Sequence, residues 1–144
     1  MSPETKNLPE AVCVICVHPE TGYVLSATRK DTTDTWGVIG GKKEQDESIV
    51  DAAYREFKEE TGITLTSPLN YLTTMICTNE YKVTVFVVTA PTSFYVANKL
   101  KNAGRYSVEE GILVDYVPYS KLLAGPFGEF NLELLNTLLA LTVK

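Results

Sequence analysis

The segment that most constrains this chain is residues 49–61, IVDAAYREFKEET, with Ser48 before it and Gly62 after it. Ser48 is a favoured N-cap, and Asp51 three residues on gives a near match to a capping box. Gly62 stands where a helix that ends in a left-handed residue favours glycine. A helix over 49–61 follows. At about 100° per residue, Ile49, Ala52, Ala53 and Phe57 form one stripe, which must face a core. Glu56 and Glu60 fall in the middle of that stripe. Lys58 and Asp51 lie on the opposite side, and Glu59 and Arg55 on one flank. An ionised carboxylate centred on an apolar stripe is costly unless it is paired or binds a cation. Glu56, Glu59 and Glu60 are also spaced i, i+3 and i+4, so their like charges meet on one surface. A hard divalent cation relieves both conflicts, since Mg²⁺ accepts a few carboxylate oxygens and completes its shell with water and phosphate. Taken alone, the helix also reads as a charged face with an Arg55–Glu59 pair at i, i+4, so its surroundings must decide.

Composition narrows the choice. The chain has 144 residues, 44% hydrophobic and 22% charged, which suits one domain with a real core over 1–144. The polar residues 1–9 read as a flexible N-terminal segment. The net charge of −5 gives little counterion release on nucleic acid, so duplex DNA or structured RNA is not an expected partner. An anionic small molecule would be repelled overall, so a phosphate site needs local cations or bound metal. No apolar run approaches the roughly 18–20 residues of a membrane span, and residues 1–10 do not read as a signal peptide. Three cysteines, Cys13, Cys16 and Cys77, fit a reducing compartment, so a cytoplasmic location is expected. Cys13 and Cys16 would point to opposite faces of a strand, which argues against a zinc pair. His18, before Pro19, reads as a turn residue.

Along the chain, 11–17 reads as a buried strand, His18–Gly22 as a turn and 23–29 as a second strand completing a hairpin. Residues 30–35 read as a polar loop and 36–41 as a short apolar piece ending in Gly40 and Gly41. Strands are expected over 70–78 and 81–90, joined at Asn79 and Glu80, and again over 111–117. Residues 91–107 read as a long loop. A last helix is expected over 131–142, with Asn131 as a candidate N-cap. Strands mixed with two main helices indicate an α/β layered domain with a mixed sheet.

The approach to the first helix decides its reading. Gly41, Glu47, Arg55, Glu56, Phe57, Glu59, Glu60, Gly62 and Ile63 meet every fixed position of the pattern G-x5-E-x7-R-E-U-x-E-E-x-G-U, in which U is a bulky apolar residue. The segment resembles an intact Nudix box. Phe57 is aromatic where the family more often has an aliphatic residue. The lead-in, Leu25–Arg29 and then Trp36–Lys42, looks like that of MutT-like members, which often have proline where this chain has Ile39. Val114–Leu123 is similar to a later strand and short turn of the family. The resemblance spans roughly residues 10–140, but its specific part is 36–63.

The resemblance implies a Nudix fold, an α/β/α sandwich, and hydrolysis of a phosphoanhydride in a nucleoside diphosphate derivative with Mg²⁺, with Mn²⁺ as its substitute. It implies Glu56, Glu60 and Glu59 as metal ligands, with the backbone carbonyl of Gly40. Arg55 and Glu47 become the pair that orients the loop against the helix. Glu110, six residues before Tyr116, matches a downstream acid that serves as metal ligand or base, with Glu109 as its rival; the base is otherwise a box glutamate. Arg29 is a phosphate clamp candidate because guanidinium binds phosphate oxygens in pairs. Lys42 and Asn131 are further substrate-binding candidates, Asn131 matching a position that reads the nucleobase. The implied substrate is a small-molecule nucleotide: a nucleoside triphosphate, oxidised or not, cleaved to monophosphate and pyrophosphate. Alternatives are ADP-ribose, a dinucleotide or a nucleotide sugar, and a non-catalytic module that senses a nucleotide. Loss of box glutamates would favour the last, and none is lost.

Overall fold

In a computed structural model, the described residues are 8–29, 32–78, 80–100, 106–109, 112–125 and 127–142. Seven strands are described: β1 (Glu10–Ile15), β2 (Val24–Arg29), β3 (Thr32–Lys42), β4 (Leu69–Cys77), β5 (Tyr81–Val88), β6 (Tyr106–Glu109) and β7 (Ile112–Val117). Four helices accompany them: α1 (Ile49–Thr61), α2 (Ala90–Leu100), α3 (Tyr119–Leu123) and α4 (Gly128–Thr142). The strands form one sheet in the order β4-β5-β1-β3-β2-β7-β6. It is mixed: β1 runs parallel to β5 and antiparallel to β3.

Each strand of the sheet centre buries both faces. Val12, Val14, Ile39 and Phe86 pack with Ala52, Ala53 and Phe57 of α1 and Val96 of α2. Ala11, Cys13, Ile15, Trp36 and Val85 pack with Leu122 of α3 and Phe130 and Leu134 of α4. The result is the α/β/α sandwich. Cys13 and Cys16 do fall on opposite faces, and all three cysteines are free and buried. His18 is a turn residue, its Nδ1 accepting from the backbone of Glu20 and Thr21.

Three local expectations need correction. The hairpin of β1 and β2 is not formed, because β3 inserts between them and leaves only the Val17–Val24 bridge. β3 is eleven residues long, so it can pair with β2 through Trp36–Val38 and with β1 through Ile39–Lys42. Its start, Thr32–Thr35, was expected as loop; β-branched threonines suit extended backbone. Residues 91–100, also expected as loop, belong to α2, which starts at Ala90. Its buried face is Thr92, Ser93 and Val96, two polar residues out of three, which hides the helical period. Pro91 is tolerated because it sits in the first turn. The two main helices expected, α1 and α4, are the longest of the four described.

Candidate active site

Helix α1 is held at both ends. Ser48 Oγ accepts from the Asp51 backbone N–H at 3.0 Å. Gly62, at φ 75°, donates its N–H to the Lys58 carbonyl at 2.7 Å. With Ala52, Ala53 and Phe57 fully buried, the helix cannot rotate, and Arg55, Glu56, Glu59 and Glu60 are aimed by the core behind them.

Arg55 ties this helix to the loop that precedes it. Its Nη2 and Nε donate to the two oxygens of Glu47 at 2.6 and 2.9 Å, and Nη2 also donates to the Lys42 carbonyl at 3.0 Å. Nη1 donates to Glu56 at 2.7 Å and to Glu59 at 2.9 Å. Glu47 additionally accepts from the Glu44 backbone N–H at 2.8 Å. The Arg55 hydrogen bonds, with that N–H, hold the Glu47 carboxyl down at about 2. Both readings of Arg55, the partner of Glu47 and the i, i+4 partner of Glu59, are thus present together.

The two glycines of β3 are space for other groups. A Cβ on Gly41 would run into the Glu56 carboxyl, and one on Gly40 into the Val12 carbonyl oxygen. The Gly40 N–H donates to Glu60 Oε2 at 3.4 Å. Burial, then the charge of Glu56, push the Glu60 carboxyl up to about 8, against the pull of that N–H. Burial also raises Glu56, which Arg55 counteracts. Among the described residues Glu60 has no cationic side-chain partner. Nor do any three His, Cys, Asp or Glu side chains among them converge into a ready cage, since Arg55 draws Glu56 and Glu59 toward itself. A half-buried acid short of positive charge, beside a second half-buried acid, still fits a divalent cation that takes few protein oxygens.

These residues open on a cavity of about 750 Å³, within the usual size range of small-molecule sites. Gly40, Gly41, Lys42, Glu56, Glu59 and Glu60 line it, and so do Phe127, Phe130 and Asn131 of the α4 end. Asn131 is not an N-cap: α4 begins at Gly128, and Asn131 lies in its first turn, bonded through its N–H to the Phe127 carbonyl. Its buried amide nitrogen donates to the Leu122 carbonyl at 3.1 Å, which leaves its equally buried Oδ1 without a partner. Phe127 and Phe130 were not singled out from sequence, although their spacing around Gly128 places them on one side of a helix start. Tyr81, Glu80 and Thr78 also line the cavity and carried no sequence signal. Arg29 ends β2, but its side chain lies outside the described residues, as do Lys30 and Glu110.

The NUDIX domain model matches residues 7–136. No curated protein sequence matches the chain. Among solved structures, a MutT from work on the Aliivibrio salmonicida and Vibrio cholerae proteins is similar, with a TM-score of 0.65 and 23% identity over 93% of this chain and 98% of that one. The NUDIX domain of Shewanella oneidensis NrtR, complexed with ADP ribose, has a TM-score of 0.60 and 16% identity over 95% and 90%. At such identities the likeness is one of fold. Together with the box residues Gly41–Gly62 and the family match over most of its length, it follows that this chain belongs to the Nudix hydrolase family.

Proposed function

We propose that the chain, as a single domain over 1–144, uses Mg²⁺, or Mn²⁺ in its place, to hydrolyse a phosphoanhydride of a nucleoside triphosphate to monophosphate and pyrophosphate. The observation that carries this is one cavity shared by Glu60, half-buried beside Glu56 at one end, and by the unpartnered Asn131 Oδ1 with Phe130 at the other. The first end suits cationic and phosphate groups, and the second suits a base carrying an N–H donor. Glu56, Glu59 and Glu60, with the Gly40 carbonyl, would hold the cation. Bound there, it would neutralise phosphate charge and lower the pKa of water.

The protein's own groups do the rest. Arg55 and Glu47 fix the loop that follows Lys42. Lys42 and Arg29 meet phosphate oxygens. Water attacks phosphorus, its proton passing to a box glutamate or to Glu110, and pyrophosphate leaves. No helix among the described residues is long and apolar enough to cross a membrane. ADP-ribose is the second reading, supported by the ADP ribose held in the NrtR domain of similar fold.

The test is a product assay with Mg²⁺ over the four deoxynucleoside triphosphates, an 8-oxo form, ADP-ribose, a dinucleotide and a nucleotide sugar. Monophosphate plus pyrophosphate supports the first reading. AMP plus ribose phosphate from ADP-ribose would transfer the assignment to the second. Binding without turnover of any would leave a sensing module.

A further inference from the structure

Four observations outside the glutamate cluster meet at the turn between β4 and β5. Thr78 has φ 52°, a left-handed conformation that is rare for a β-branched residue and is kept only where the surroundings enforce it. The turn is closed on the Cys77 carbonyl, which accepts from Thr78 Oγ1 at 2.7 Å and from the Glu80 N–H at 3.0 Å. The turn lines the same cavity as the α1 glutamates, through Thr78, Glu80 and Tyr81. Finally, the Lys42 ammonium lies 5.4 Å from the centre of the Tyr81 ring.

The register explains how residues so far apart meet. Lys42 of β3 pairs with Ala11 of β1, and Ala11 with Val83 of β5. Tyr81, two residues before Val83, is on the same face of the sheet. Lys42 therefore reaches Tyr81 by crossing β1 at Ala11, where only a methyl stands in the way. The exposed Lys42 stem is otherwise free to turn, and three carboxylates of α1 line the same cavity. An ammonium that folded onto them would occupy the place of a cation.

We propose that Tyr81 is a positioning residue: its ring holds the Lys42 ammonium over the cavity, ready for a substrate phosphate and away from Glu56, Glu59 and Glu60. This rests on the phosphoanhydride reading of the site. The strained turn fixes where Tyr81 begins, and Ala11 keeps the path open.

Steady-state kinetics with Mg²⁺ test it, on whichever nucleotide of the product assay is turned over fastest. Tyr81→Leu raises KM by about three- to tenfold with little change in kcat, the size of one cation–π contact at a partly exposed site. Tyr81→Phe, which keeps the ring, gives a smaller rise. Lys42→Met raises KM at least as much, and adding Tyr81→Leu to it changes nothing further, because the tyrosine acts through the lysine. Ala11→Leu, which blocks the path, reproduces the Tyr81→Leu effect. Additive effects of Tyr81→Leu and Lys42→Met overturn the positioning role and leave the proposed function standing, as does a Lys42→Met variant with unchanged KM. A wild-type chain that hydrolyses none of the nucleotides overturns the reading of the site, and the role of Tyr81 with it.

Discussion

Arg55 grips Glu47 with two nitrogens, at 2.6 and 2.9 Å, across eight residues of sequence, and so fastens the loop after β3 to the face of α1 that carries Glu56 and Glu60. The geometry is the planar fork that arginine offers and lysine does not.

The first prediction concerns that pair. Arg55→Lys loses the fork and lets the loop drift, so activity should fall by about 10–100-fold, the usual cost of losing a group that orients ligands. Glu47 adds a pH signature. Its carboxyl is held near 2, against an ordinary 4.5. The stability it contributes is therefore present above 4.5 and lost as pH falls toward 2. Melting curves between about pH 5 and 2 should be shallower for Glu47→Gln than for the wild type. Identical acid limbs would show that the pair holds nothing.

Glu60 predicts the opposite slope in the next pH window, above 4.5. Its carboxyl is pushed up to about 8. Between 4.5 and 8 the folded chain binds more protons than the unfolded one, so stability falls as pH rises through this window. In chelator, the protein should melt higher near pH 5 than near pH 8. Glu60→Gln should flatten that slope. Mg²⁺ should raise the melting temperature more at pH 8 than at pH 5, since it binds the ionised form. A metal-free chain that is more stable at pH 8, with no change in slope for Glu60→Gln, would contradict this.

The two glycines should separate by what they touch. Gly40→Ala drives a methyl into the Val12 carbonyl of β1, which is backbone and cannot yield. It should destabilise the fold by about 1–3 kcal/mol. Gly41→Ala meets the Glu56 side chain instead, which can swing aside. It should melt nearly as the wild type does while losing activity, because Glu56 leaves its position. Denaturant melts and turnover of both variants check this; the reverse order would place the Glu56 carboxyl elsewhere.

How much of this was legible in sequence depends on range. Helix α1 could be read to its last residue because Ser48, Gly62 and the buried stripe of Ala52, Ala53 and Phe57 are all local signals. The Glu47–Arg55 pair was legible through the spacing of the box. Helix α2 was not, because Thr92 and Ser93 are buried where apolar residues were expected. The β1–β2 hairpin failed for a related reason: a strand between two neighbours in sequence leaves no trace in either. Tyr81 was invisible because it meets Lys42 only through the register of β3, β1 and β5. Asn131 was legible as a residue of interest but not as a group with its amide nitrogen engaged and its oxygen free.

That asymmetry gives the fourth prediction. With Nδ2 held by the Leu122 carbonyl, Oδ1 can only accept. Asn131→Leu should raise KM more for nucleotides whose base offers an N–H at this position than for those that do not, with kcat less affected. A uniform loss across the panel would show that the variant disturbs α4 instead.

The central claim is that the α1 carboxylates hold a divalent cation for phosphoanhydride hydrolysis, and Glu60→Gln tests it most directly. Turnover should be measured in Mg²⁺ and in chelator, alongside a thermal melt of the same samples. The account predicts a wild type that is silent in chelator and restored by Mg²⁺ or Mn²⁺. It predicts a Glu60→Gln variant with kcat lower by about 10²–10³-fold, the size of losing one group at a centre where charge develops. That variant should remain folded and melt no lower than the wild type in chelator. Full wild-type turnover without metal would contradict the claim, and so would a Glu60→Gln protein that is unstable yet keeps its specific activity.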